Sequence, residues 1–410
     1  MHSTSQGIDR SVELLFDRED RQKKIRRAML FGGFSSFSML YCVQPLMPLL
    51  ADSFQLSATQ TSWVLSISTL CLALSLVVCS LISEVIGRKP MMIWAVSISA
   101  CTTLLCSLVQ SYPQLLMLRA LLGLALGGMP AVAIAYLSEE VEPTALASTI
   151  GLYIAGSALG GMSGRLINAL LCDFLAWQAA FAIMGGIGLY SAWEFWRNLP
   201  EAHHFKPHQR TEESALVSII ASFRRHLALR PLVTLFTLGF ILTGCFTSFY
   251  NYISFRLVAA PFHFSQASLG AISIFFLLGM AGSIWVGSLV AHYGRYRLIQ
   301  LALISMVLGL LLTLSSQIYL IVAGTALFTL SFFAAHSVAS SSIAQLASAP
   351  KALASAIYLF CYYSGASVLG SVGGIFWTRF AWMGMVFFQT ALLILAFTLI
   401  SLLQPTQDPH

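Results

Sequence analysis

The sequence predicts an all-α membrane protein whose twelve transmembrane helices form two pseudo-symmetric six-helix bundles. Three observations predict it. The composition is too apolar for water, twelve apolar runs have bilayer length, and local signals recur at nearly one offset in both halves.

The 410 residues are 57% hydrophobic and 9% charged, with a mean hydropathy of +0.80. A soluble domain carries roughly 25% charged residues because its surface faces water. So few charges cannot cover a chain of this size, and its apolar surface must face lipid. The net charge of +6 does not indicate nucleic acid. The basic residues sit in short clusters beside apolar runs, such as Arg21, Lys23, Lys24, Arg26 and Arg27, as expected beside anionic lipid headgroups. The eight cysteines form no C-x-x-C pair, and all but Cys172 fall inside apolar runs. There Cys behaves as a small hydrophobe, so neither a disulfide nor a metal site is implied. His203, His204 and His208 lack the acid or Cys that would complete a metal-ligand spacing.

A hydrocarbon core about 30 Å thick needs about 20 helical residues. Runs of that kind lie near 28–50, 63–83, 91–109, 114–137, 145–167 and 179–199. A second set lies near 231–255, 267–290, 298–314, 317–340, 352–376 and 381–403. Residues 1–27 read as a retained cytoplasmic tail, because they are polar and lack the short apolar core and A-x-A site of a signal peptide. Within that tail, residues 9–27 are either a surface helix or disordered. The domains expected are therefore this tail, a bundle over 28–199, a polar cytoplasmic linker over 200–230, a bundle over 231–403 and a cytoplasmic tail over 404–410.

With the amino terminus inside, 18 Lys and Arg fall on the cytoplasmic side against Arg256 and Arg379 outside; Arg119 and Arg165 lie within spans. The positive-inside rule then places both termini in the cytoplasm. In a bacterium the membrane is the inner one.

The halves share signals in order. Pro143 with Ala145-Leu146-Ala147-Ser148 recurs as Pro350 with Ala352-Leu353-Ala354-Ser355, and Gly87-Arg88 recurs as Gly294-Arg295, each 207 residues on. Ala176-Trp177 recurs as Ala381-Trp382. Two parallel repeats suit a transporter whose solute site lies between them near the midplane.

On these features the chain resembles the major facilitator superfamily over residues 28–403. The loop Ser80-Leu-Ile-Ser-Glu84-Val-Ile-Gly87-Arg88-Lys89 is similar to the family signature G-x-x-x-D-R-x-G-R-[KR], with Ser80, Glu84 and Val85 as departures. Its second copy keeps Gly287, Gly294 and Arg295. Gly87 permits a tight turn, while Glu84 is placed to pair with a cation or a helix N-terminus. The resemblance implies a latch on the cytoplasmic side; otherwise Arg88 and Lys89 only set topology.

Arg119 and Gly123 match the family's R-x-x-x-G motif in the fourth span. An Arg at membrane depth costs roughly 2.5–3.5 kcal/mol to insert, so it faces the bundle interior. The resemblance implies proton coupling at Arg119; the alternative is a structural Arg satisfied by carbonyls of the first span. Gly151, Gly156, Ser157, Gly160 and Gly161 resemble the antiporter motif G-x-x-x-G-P-x-x-G-G, with Ser157 in place of Pro. This implies an exporter or antiporter, although close helix packing accounts for glycines at such spacing too.

Candidates for the solute cavity are Tyr41 and Gln44, beside Pro45 and Pro48, with Tyr250, Asn251, Tyr358 and Tyr362. No carboxylate lies mid-span, which favours a neutral or anionic solute. Proton-coupling candidates besides Arg119 are His336, whose side chain titrates near physiological pH, and Glu139 and Glu140 at the inner end of the fourth span.

The expected activity is proton-driven export of a small organic solute by alternating access. Overall the chain resembles the drug:proton antiporter-like branch, including siderophore and multidrug exporters. Uptake of a metabolite is the alternative. A membrane-embedded enzyme would need paired acids or clustered His ligands, which the sequence lacks. No cofactor beyond the proton gradient, no nucleic acid and a monomer are expected, with solute, protons and lipid as partners.

Overall fold

The computed structural model describes residues 2–202, 222–347 and 351–403, and these are helices joined by short turns. The first half comprises α1 (His2–Tyr41), α2 (Met47–Phe54), α3 (Ala58–Ile86), α4 (Arg88–Leu105), α5 (Tyr112–Leu126), α6 (Pro130–Glu140), α7 (Pro143–Cys172) and α8 (Trp177–Asn198). The second comprises α9 (Arg230–Val258), α10 (Gln266–Ala271), α11 (Phe275–Tyr293), α12 (Arg295–Leu312), α13 (Ile318–Leu346) and α14 (Lys351–Ser401).

Among the described residues, ten helical segments are long and apolar enough to cross a membrane. One of them, Leu353–Ser401, has 49 residues, about 74 Å of helix against a core of about 30 Å. It is two crossings that meet at Ala381, whose φ of 50° and ψ of −143° leave the helical region. The 22-residue α8 completes twelve passes; its Gln178, Glu194, Arg197 and Asn198 lower its hydropathy. The protein is an all-α, multi-spanning membrane protein.

Local chemistry explains the ends. Ser57 and Gln60 form a reciprocal cap at the start of α3: Gln60 N–H donates to Ser57 Oγ at 3.2 Å and Ser57 N–H to Gln60 Oε1 at 3.0 Å. This satisfies two donors that a helix start leaves free. Pro45 and Pro48 interrupt the first pass, where a 3-10 turn at Gln44–Leu46 separates α1 from α2. α1 continues unbroken from His2 to Tyr41, without a change at residue 27. Residues 203–221 of the linker, its three histidines and the tail 404–410 lie outside the described residues.

The repeat is visible in the backbone. Gly87 and Gly294 have φ of +98° and +76°, and each joins two antiparallel passes. Side-chain-bearing residues rarely adopt this conformation. Each half buries its own apolar core; the second-half cluster runs from Leu232 to Ile400.

Bridges between the halves gather at the end remote from Arg88. There Thr59 meets Thr378 (3.5 Å), and Ser371 donates to Ser66 (2.8 Å). The Asp173 carboxylate accepts from the backbone N–H of Gln266 (2.8 Å) and Ala267 (3.1 Å). Toward the Arg88 end, Gly151 on α7 and Gly287 on α11 each face open space, and Val85 is 80% exposed. The hydrogen bonds that join the halves thus lie at the remote end and at mid-depth.

Candidate functional site

A polar chain crosses between the halves where the first pass breaks. Arg165 on α7 donates through Nε to Gln44 Oε1 (2.7 Å) and through Nη1 to the Gly161 carbonyl (2.6 Å). Gln44 Nε2 donates to Asn251 Oδ1 on α9 (2.7 Å) and reaches the Thr247 carbonyl (3.4 Å). The Arg165 guanidinium lies 4.1 Å from the Tyr41 ring centroid and 4.6 Å from that of Phe276. Such contacts stabilise a cation more when it is withdrawn from water. Arg165 is 3% exposed, and the space beside it, walled by Gln44, Tyr250 and Ser273, is about 10 Å³, room for one water.

An aromatic wall from the second half adjoins this chain. Tyr250 OH bonds Thr329 Oγ1 (2.8 Å), and the Phe246 and Phe332 rings stack at 3.9 Å. His336 Nδ1 lies 2.8 Å from Tyr358 OH, and its ring is 4.7 Å from that of Tyr362. Tyr362 also packs on the first-half cluster that includes Tyr41. The sequence candidates Tyr41, Gln44, Tyr250 and Asn251 thus meet around Arg165, with His336, Tyr358 and Tyr362 alongside.

Arg165 was not among the sequence candidates. Like Arg119 it is an Arg at membrane depth, but no motif drew attention to it; the insertion cost was the available signal.

Arg119, fully buried, caps the C-terminal end of α1. It donates through Nη1 to the Met39 carbonyl (2.9 Å), through Nη2 to that of Leu40 (2.5 Å) and through Nε to that of Val64 (3.3 Å). The last carbonyls of a helix lack internal partners and carry partial negative charge, so a guanidinium there satisfies both. Two of these carbonyls belong to the first pass, as the structural alternative for Arg119 requires, and the third, that of Val64, belongs to α3.

The other candidates lie elsewhere. At the basic end Arg88 donates to Ser83 Oγ (2.6 Å) and pairs with Glu139 (3.1 Å), and Lys89 pairs with Glu201 (2.7 Å). Glu140 pairs with Arg21 (2.5 Å) and Glu194 with Arg27 (2.8 Å). These contacts tie α1, α4, α6 and α8 together within the first half. Glu139 and Glu140 belong to this lattice and not to the central chain, and Glu84 is exposed. Arg295 is half-buried at the corresponding turn of the second half.

The antiporter-like glycines divide by face. A Cβ on Gly156, Gly160 or Gly164 would meet the carbonyl oxygens of Leu30, Phe34 or Ser38, so these residues let α7 lie against α1. Ser157 bonds back to the Tyr153 carbonyl (2.9 Å). Gly161 instead faces Arg165 and Tyr41, and Gly123 approaches the Ser68 backbone of α3. Among the described residues no group of three or more His, Cys, Asp or Glu side chains is placed to hold a metal.

Residues 29–367 match the family model described as Major Facilitator Superfamily. The "Inner membrane transport protein YnfM" of Escherichia coli K12 is 42% identical over 373 residues, 91% of this chain and 88% of that protein. An "Uncharacterized transporter" of Buchnera aphidicola subsp. Schizaphis graminum is 39% identical over 377 residues, 91% and 89% of the two chains. Among solved structures, a bacterial homologue of the lysosomal transporter Spinster, inward-facing and occupied, superposes with a TM-score of 0.76 at 14% identity. The match covers 95% of this chain and 99% of that one. The nucleoside transporter NupG, in a variant form, gives 0.76 at 13% identity over 93% and 100%.

Proposed function

This chain belongs to the Major Facilitator Superfamily, and from that premise we propose that it is a proton-driven exporter of the drug:proton antiporter-like branch in the bacterial inner membrane. It is a secondary transporter that moves a small organic solute by alternating access, and it is not an enzyme. The observation that carries the finer reading is the Arg165–Gln44–Asn251 chain. It lies at mid-depth between two halves that are bridged at the remote end, where a site served by alternating access is expected.

The excess of basic residues supports a cytoplasmic location for the Arg88 end, the linker and both termini. The conformation described is then open to the cytoplasm and sealed outside. Export is supported by the α7 glycines, whose seam against α1 would let these passes move as a unit. For proton coupling we favour His336, because its ring shares the aromatic wall and bonds a tyrosine hydroxyl. Arg119 we read as holding the break in α1 that presents Gln44.

The test combines two measurements. Solutes are compared without preselection between deletion and overexpressing cells. The solute that changes is then followed in proteoliposomes of defined orientation under an imposed pH gradient. Export predicts depletion from overexpressing cells and proton-driven movement out of the cytoplasmic face. Accumulation with the reverse polarity would establish uptake instead.

A further inference from the structure

We propose that Arg165 is the recognition point for a carboxylate on a planar, aromatic solute, and that the same contact unlatches the outer end. This deepens the proposed transport function and rests on it.

Three observations converge. First, Arg165 is a deeply buried cation whose hydrogen bonds go to neutral acceptors: the Gln44 side-chain oxygen and the Gly161 carbonyl. Among the described residues, the ion pairs formed by Arg side chains lie at the basic end and none includes Arg165. A buried charge without a counter-ion is costly, and an anionic ligand offsets that cost.

Second, the charge breaks the symmetry of the fold. Gln44 and Asn251 are 207 residues apart, the spacing that also relates Gly87 to Gly294. The same spacing carries Ser66 to Ser273, each of which bonds across to the other half. Applied to Arg165 it falls on Val372. A group needed only to join the halves would be expected in both copies. A cation in one copy is what a polar ligand with one charged end requires.

Third, the surroundings are planar. The guanidinium lies over the Tyr41 ring of the first half and the Phe276 ring of the second; the buried, mutually stacked Phe246 and Phe332 back Phe276, with Tyr362 beside the first-half cluster. Flat aromatic faces favour an aromatic body by offset or edge contact, while a guanidinium grips a carboxylate through parallel N–H donors.

The coupling follows from sharing of donors. A carboxylate arriving from the cytoplasmic opening takes the Nε–H that Gln44 Oε1 now accepts. Gln44 is thereby released from Arg165, and the amide loses the orientation that directs Nε2 at Asn251 Oδ1. Binding then weakens a bond that holds the outer end shut. No bond of the solute is made or broken.

The test uses the purified full-length protein in lipid nanodiscs at constant pH and ionic strength. Benzoate, 4-hydroxybenzoate and cinnamate are titrated beside their neutral amides, with sodium phosphate as the inorganic anion, and thermal unfolding and intrinsic fluorescence are read. At least one acid should bind saturably and at least tenfold more tightly than its amide. Arg165→Gln should remove that preference, with Arg165→Lys retaining part of it. Equal binding of acid and amide, saturation by phosphate at the same concentration, or no binding across the panel would overturn the proposal. The acid–amide comparison on the unaltered chain needs no variant, so misfolding of Arg165→Gln does not rescue it. Export of a neutral solute without acid binding would sink this inference and leave the transport reading standing. Acid binding without flux under any gradient would do the reverse.

Discussion

Gln44 and Asn251 are symmetry mates that hydrogen-bond each other: 207 residues separate them, and the Gln44 amide donates to the Asn251 oxygen at 2.7 Å. Residues related by a two-fold axis meet only if they lie close to it. This bond therefore marks the pseudo-axis between the halves, at the depth where a solute must be bound. A bond here is strained or broken by any rocking of the halves, so it reports the conformational equilibrium directly.

Gln44→Ala should shift that equilibrium toward an open outer end. A buried neutral hydrogen bond contributes about 1 kcal/mol net, roughly a fivefold change in a two-state population. A single cysteine at Thr59, on a background without the eight native cysteines, should react about fivefold faster with an impermeant maleimide added outside. An unchanged rate would show that the bond does not hold the outer end.

Asp173→Ala should act in the same direction from the outer rim. Its carboxylate caps the first N–H groups of α10 from across the interface, a contact of about 1 kcal/mol. Outer labelling should rise several-fold while the melting temperature moves little. A fall in melting temperature with no change in labelling would assign Asp173 to folding alone.

Gly87→Val places a β-branched residue at φ +98°, at a cost of about 1–3 kcal/mol. The turn between α3 and α4 should distort, and turnover should drop while insertion is retained. Normal turnover at normal expression would remove the turn from the mechanism. Gly294→Val provides the matched measurement in the other half.

Arg119→Ala and His336→Gln should fail differently. Loss of Arg119 removes the charged donor that the carbonyls of Met39 and Leu40 share at the end of α1, so both gradient-driven transport and counterflow should fall with stability. Loss of His336 should abolish gradient-driven transport yet preserve counterflow, which needs no proton movement. Intact counterflow in Arg119→Ala with driven transport abolished would instead assign the coupling to Arg119.

The twelve passes and their halves were legible because lipid imposes a length and composition on each helix that little else produces. Their ends were less so. The first pass is expected at 28–50, whereas α1 passes through residue 27 without interruption, since polar residues prolong a helix beyond the apolar core. The Gln44 and Asn251 pairing joins helices far apart in the chain, and periodicity says nothing about such contacts. Still, adding the repeat offset to Gln44 lands on Asn251, so the partner was computable from the sequence. The sequence places Arg165 within a span but not in the site, because its surroundings come from α1 and α11 and not from any local pattern. Glu194 is a further case: it ends a span, is 3% exposed and pairs with Arg27, yet hydropathy alone reads it as a boundary residue.

The abrupt reversal at Ala381 has a mechanical consequence. With one non-helical residue between its two arms, α14 has almost no slack there. A tilt of Lys351–Phe380, the arm that touches the first half through Ser371 and Thr378, is transmitted to Trp382–Ser401. The terminal arm should thus swing like the short side of a lever whenever the outer contacts part, carrying the motion to a surface in contact with lipid.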